Sequence, residues 1–318
     1  MSNSKEIQRR IKSINNTGKI TRAMEMVSAA KMRRATESVL KIRPYAKSAW
    51  NILTNLARSF DKHESKLLEV REVEKVLVII ITSNRGLCGS FNSQIMRRIR
   101  NEIDNPKSLK INRIGAKKIE PKDSNKELKV DFVTIGRKGE NLVAKLGKEI
   151  IASFPDLTYL PGIEAVRPLS NLVIEEYEKA NYDKVVIAYT DYISVVKQEP
   201  KIRQILPISK IDLEKQIIEM DNSIEERELK EPKFEYKVEP SPNEVLSNIF
   251  PRLIEMQIYH SILESNASKE SARMIAMRNA TDAAKEMGED LTLAYNQIRQ
   301  MKITQEIAEI SAGSTAVE

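Results

Sequence analysis

The side chains best suited to chemistry in this chain are few and scattered. Cys88 is the only thiol, so no intramolecular disulfide can form, and no evident base stands beside it in the sequence. His63 and His260 are the only histidines, and neither has a histidine or cysteine at metal-ligand spacing. The stretch "RGLCGS" carries two glycines after an apolar run, yet it is neither GxGxxG nor the phosphate-cradling GxxxxGK[ST]. Glycines at a strand end ordinarily make only the turn. The carboxylates of "DLEKQIIEMDNSIEERELKE" have no pocket signature and read as a solvated face. No catalytic constellation, cofactor site or metal site is expected.

The charge pattern carries more. From Met1 to Arg43 there are eleven lysines and arginines against three glutamates, a net of +8 in a chain whose formal total is +7. Such a stripe attracts an acidic partner surface, nucleic acid or anionic lipid. Lys19, Arg22, Arg33 and Arg34 lie within it.

The elements that carry these residues are read from periodicity. Ile7, Ile11, Ile14 and Gly18 alternate in steps of four and three, a helical seam. After Gly18 the apolar phase moves to Ile20, Met24 and Val27, which predicts a stutter. Pro44 is expected to kink this helix, with the apolar spacing resuming at Trp50, Leu53, Leu56 and Ala57. A second helix is predicted from about Asn243 to Ser311, with a seam through Leu263, Ala267, Met274, Met277, Met287, Leu291, Ala294, Ile298 and Met301. Nearly seventy helical residues would extend roughly 100 Å, more than a compact domain of this chain could bury. From Glu244 to Ser311 ten acidic residues oppose seven basic ones, so the two helices suit each other as an antiparallel pair. A low aromatic share of 5% with 31% charged residues agrees with narrow apolar seams.

Between the helices "VEKVLVIIITS", "KVDFVTIG" and "KVVIAYTDY" read as strands, with "ISVVKQEPKIRQILPI" adding one or two more. "SQIMRRIRNEI", "KGENLVAKLGKEIIASF" and a stretch near Pro168–Lys179 read as helices, and Asp104–Glu127 as an aperiodic surface insertion. The fold class is therefore α/β: a small, mostly parallel Rossmann-like domain over 61–242, between coiled-coil helices at 1–60 and 243–318. The longest apolar run, Val76–Ile81, is too short to span a bilayer, so membrane association would come through partners.

Three blocks resemble the gamma subunits of bacterial F-type ATP synthases, in the family's order. They are "RRIKSINNTGKITRAMEMVSAAKMRRA", "TSNRGLCGSFN", and "SARMIAMRNATDAA" followed by "LTLAYNQIRQMKITQEIAEISAG". Gly18 stands where the family is expected to have glutamine. The resemblance implies a non-catalytic rotor shaft, one copy per complex, seated in a ring of alternating alpha and beta subunits. Its globular foot would meet the epsilon subunit and the c-subunit ring at the cytoplasmic face of the cell membrane, and proton flow would turn it. It implies partner-binding roles for Lys19, Arg22, Met24, Arg33, Arg34, Arg85, Cys88, Arg299, Gln300, Thr304, Glu306 and Glu309. Two alternatives are a nucleic-acid-binding coiled coil and a Rossmann-type enzyme with helical extensions. Against the first, the basic helix is itself a packing element without interleaved aromatics. The second lacks site residues.

Overall fold

The computed structural model describes residues 2–55, 65–114, 117–119, 128–158, 161–209, 239 and 241–315. The side chains of Trp50 and Leu53, all of Leu56, Ala57 and His63, and the acidic stretch 212–231 lie outside what is described. The chain forms two compact units, one of Met1–Ala30 with Arg273–Glu318, the other of Lys31–Ala272.

The larger unit is built on a five-stranded sheet. β1 (Lys75–Ile81), β4 (Lys129–Ile135), β5 (Ile150–Ser153), β6 (Lys184–Tyr192) and β7 (Gln198–Leu206) lie in the order β5-β4-β1-β6-β7. β1 pairs in parallel with β4 and β6, β4 in parallel with β5, and only β7 runs antiparallel, on β6. The central β1 is buried at every residue after Lys75, which explains its unbroken apolar sequence: a parallel strand covered on both faces needs no alternation. One face is covered by α2 (Phe91–Asp104) and α4 (Arg137–Lys145), through Ile95, Ile99, Leu142 and Val143. The other is covered by α5 (Ile163–Glu178) and the first part of α6 (Pro242–Thr315), through Val166, Leu169, Val173, Phe250, Leu253 and Ile258.

Two local expectations are corrected here, while the stretch after β6 keeps to the one or two strands expected of it. "KGENLVAKLGKEIIASF" is not one helix, because Gly147 at φ +65° ends α4 and the β-branched Ile150–Ile151 begin β5. The stretch after β6 gives one strand, β7. The insertion is not aperiodic throughout, for it contains a short helix α3 (Lys107–Lys110) and a hairpin of β2 (Asn112–Ile114) with β3 (Lys117–Ile119). Leu109 anchors it in the core, and the buried Lys184 ammonium donates to the carbonyls of Leu109 and Ile111 at 3.1 and 2.6 Å.

In the smaller unit α1 (Ser2–Asn55) pairs antiparallel with α6. Thr21 meets Thr281 at 2.8 Å, a Cβ on Gly18 would lie 3.5 Å from that of Ala284, and one on Gly288 would lie 3.2 Å from Asn15 Oδ1. Gln8 donates to the Tyr295 hydroxyl at 3.4 Å. Each step down α1 is matched by an equal step up α6, so Ser2 comes level with Gln300 and the helix beyond it has no partner in α1. Residues 301–311 are accordingly exposed throughout.

The stutter predicted after Gly18 does not occur. The seam continues in phase through Thr21 and Ser28, both buried, while Ile20, Met26 and Val27 are 61%, 59% and 54% exposed. Likewise Met287 and Met301 face outward, and Thr281, Ala284 and Gly288 hold the seam. Close approach of two helices selects small side chains, so past Ile14 the inner face is marked by small size, at Gly18, Thr21 and Ser28 of α1 and at Thr281, Ala284 and Gly288 of α6. α1 also runs on as helix through Pro44.

Candidate functional site

The motif Thr82–Asn92 follows β1 and lies at the carboxyl ends of β1, β4 and β5. Parallel sheets often bind phosphates there, on free amides at a helix start. Here those amides are taken by the chain itself. At the start of α4, Arg137 N–H donates to Asn84 Oδ1 at 3.0 Å, Lys138 N–H to the Ser83 carbonyl at 3.1 Å, and Gly139 N–H to Thr82 Oγ1 at 2.8 Å. Thr82, Ser83 and Asn84 thus cap α4 in place of an anion.

The Thr82 hydroxyl proton lies between the carbonyls of Ile135 and Gly136, at 3.1 and 3.0 Å. Gly136 has φ +97°, and a Cβ there would sit 2.4 Å from the Thr82 carbonyl oxygen, so the two loops touch backbone to backbone. Asn92 closes the motif on itself, accepting from Ser83 N–H at 3.0 Å and donating to Cys88 Sγ at 3.1 Å. Asn84 Nδ2 reaches the Pro155 carbonyl at 2.9 Å and ties in the turn after β5. Cys88 is buried, whereas Arg85 and Leu87 are exposed at the tip. Leu87 adopts φ +62°, a conformation that costs a branched side chain about 1 kcal/mol or more. The lock holds a strained leucine out in solvent.

A second clamp secures the entry to the sheet. The Tyr177 hydroxyl donates to the Glu69 carbonyl at 2.6 Å, and the Arg71 guanidinium lies 5.0 Å over the Tyr177 ring while donating to the Tyr177 carbonyl at 2.9 Å. Burial pushes the Tyr177 phenol well above its ordinary range, so it stays a neutral donor. Arg71 in turn holds the Glu69 carboxyl below its usual value, chiefly through their hydrogen bond.

The remaining predicted residues sit on the long helices. Lys19, Arg22, Arg33 and Arg34 are exposed on α1, with Arg22 paired to Glu25 at 2.7 Å, and Met24 is half-buried. On α6 Arg299, Gln300, Thr304, Glu306 and Glu309 are all exposed. Gln300 and Thr304 share one exposed face of α6 with Gln297, Met301, Gln305 and Ala308. Lys302 pairs with Glu306 at 3.4 Å, and Gln305 donates to Glu309 at 2.8 Å. Ile303, Ile307 and Ile310 form a stripe on this end, 47%, 62% and 73% exposed.

Sequence reasoning missed two features. One is the outer apolar stripe of Ile20 and Val27 with Ala23 between them; its seven-residue spacing was visible but was assigned to the seam. The other is the buried polar run of α6, where Gln257, Ser261, Ser265, Asn266 and Ser268 are all inside. Lys269 there donates to Asn266 Oδ1 at 2.7 Å, and His260 lies 3.5 Å from Glu264. Nothing in its composition signals burial. No helix among the described residues is long and apolar enough to cross a membrane.

Comparison with known proteins agrees with this architecture along the whole chain. Residues 3–317 match the model of the ATP synthase family. The chain is 38% identical over 317 residues to the ATP synthase gamma chain of Heliobacterium modesticaldum, covering all of both, and 37% identical over 319 residues to that of Roseiflexus castenholzii, covering all of this chain and 99% of that one. It shares its fold, at a TM-score of 0.61 and 16% identity, with a chain in the cryo-EM structure of the Euglena gracilis mitochondrial ATP synthase, OSCP/F1/c-ring, rotational state 3. That match covers 99% of this chain and 94% of that one. With its two terminal helices, its capped and closed loop at the sheet's carboxyl end and full-length identity to these relatives, the chain belongs to the ATP synthase gamma chain family.

Proposed function

We propose that this chain is the central rotor shaft of a proton-translocating F-type ATP synthase, a non-catalytic subunit present once per complex. Its smaller unit turns inside the ring of alpha and beta subunits and drives the beta sites through their binding states. Its globular domain over 61–242, which lies within the larger unit and which we divide from the terminal helices at 60/61 and 242/243, meets the epsilon subunit and the c-subunit ring at the cytoplasmic face of the membrane. Membrane association is thus indirect. The observation that carries this reading is the free end of α6: beyond Gln300 it has no partner in α1, yet it keeps an isoleucine stripe in solvent. Such a stripe needs an apolar sleeve.

Individual residues then take distinct parts. Arg299 and Gln300 make directional hydrogen bonds to carboxylate-bearing loops of the beta subunits and release them on rotation, with Thr304, Glu306 and Glu309 just beyond. Lys19, Arg22, Arg33 and Arg34 engage acidic loops, Met24 packs beside them, and Arg85 contacts the ring from the tip of the lock that Cys88 helps to hold. The internal bonding of the α4 amides supports a role without nucleotide. The test is a rotation assay: with the ring fixed to a surface and a probe attached to the larger unit, ATP should drive unidirectional rotation. A ring that hydrolyses ATP while the attached probe stays still would overturn the shaft reading.

A further inference from the structure

The connection between β6 and β7 breaks the usual rule for tight turns. Its residues are Ile193, Ser194, Val195, Val196 and Lys197, with a backbone bond from Ser194 N–H to the Lys197 carbonyl at 3.0 Å. Central turn positions favour glycine, asparagine, aspartate or serine, because β-branched side chains pack well only on a covered sheet. Here two valines occupy them, and Val196 is 81% exposed, with Ile193 at 47% and Val195 at 37%. A local rule broken without a packing gain points to a role outside the fold.

The turn is also held firmly. Ser271 of α6 donates to the Val195 carbonyl at 2.6 Å, Gln198 Nε2 to the same carbonyl at 2.8 Å, and Lys197 N–H to Ser194 Oγ at 3.1 Å. A preorganised apolar tip loses little entropy on binding. Its surroundings are basic. The Tyr192 hydroxyl at the end of β6 reaches Met32 of α1 at 4.0 Å, and from Lys31 to Lys41 that helix carries four basic residues against one glutamate, with Arg33 and Arg34 exposed next to Met32. Lys197 adds a further exposed cation.

We propose that the β6–β7 tip, through Ile193, Val195 and Val196, is a docking surface for an acidic protein segment that carries an aliphatic side chain. The valines bind the aliphatic group, while Lys197, Arg33 and Arg34 meet its carboxylates. This goes beyond the contacts assigned above and rests on the shaft reading only in that the segment belongs to another subunit of the same complex.

A photo-crosslinking residue placed at Val196 in the full, assembled complex, followed by mass identification of the joined peptide, tests it. The expected product joins Val196 to a carboxylate-rich segment of a neighbouring subunit. A product with lipid or with a basic segment, or no product in a fully assembled complex, overturns the proposal. In parallel, Val195→Ser with Val196→Asn should leave the unfolding midpoint of the isolated chain unchanged and weaken its affinity for the purified partner at least tenfold. Val195→Ile with Val196→Ile should retain that affinity. Equal affinity of all three forms would refute the tip while leaving rotation intact, whereas a chain that joins no complex would refute the shaft reading itself.

Discussion

The two units use the family's shared blocks in opposite ways. In the larger one, "TSNRGLCGSFN" turns inward: Thr82, Ser83, Asn84 and Asn92 spend their hydrogen bonds on α4, on the turn after β5 and on each other. In the smaller one, "IRQMKITQEIAEI" turns outward, and every residue from Met301 to Ile310 is exposed. The two blocks therefore sit under different constraints, an interior bonded to itself in one place and a solvent-facing helix surface in the other. Substitutions in the first region should be read out as stability, and in the second as coupling.

The largest effect is expected at Gly136. Gly136→Ala meets both a positive φ and a backbone oxygen that cannot move aside, and should destabilise the larger unit by about 3 kcal/mol or more, seen as a fall in its unfolding midpoint. Thr82→Val keeps the shape but strands the Gly139 amide, and should cost about 2 kcal/mol by the same measurement. Glycine behaves otherwise in the smaller unit. At Gly288 a new Cβ meets the movable Asn15 amide at 3.2 Å and Ile14 in ordinary contact at 3.9 Å, so Gly288→Ala should gain up to about 1 kcal/mol from helix propensity. A large loss there would show that the helices touch more tightly than the structure has them. The smallest stability change is expected for Ile20→Ser with Val27→Ser. Both side chains are more than half exposed, so each should stay within about 0.5 kcal/mol in thermal unfolding.

Much of this architecture was legible in the sequence, and the exceptions have physical causes. β1, β4 and β6 announced themselves because strands buried on both faces are continuous apolar runs. β5 hid behind α4 because Gly147 is the one breaker in the short turn between them, and one glycine in a helical pattern is a weak stop signal. The antiparallel pairing was visible from two long helices of opposite net charge at the two ends of the chain, and the seam from Ile7, Ile11 and Ile14, but the seam is lost to sequence reading after Gly18, where Thr21 and Ser28 replace apolar residues. The outward placement of Ile303, Ile307 and Ile310 followed from α6 outrunning α1. The lock around Thr82 could not be read, because it depends on Gly136 and Pro155, distant in sequence and brought together only by the parallel sheet.

The central claim is that exposed residues of α6 from Arg299 onward act by touching partners and not by holding the fold. Arg299→Ala with Gln300→Ala, measured for ATP synthesis in the reconstituted complex and for unfolding by circular dichroism, tests it most directly. The account predicts a sharp loss of synthesis, at least tenfold, with the unfolding midpoint of the chain unchanged. Wild-type synthesis in a fully assembled complex, or a loss of synthesis that simply follows a loss of helix, would contradict it.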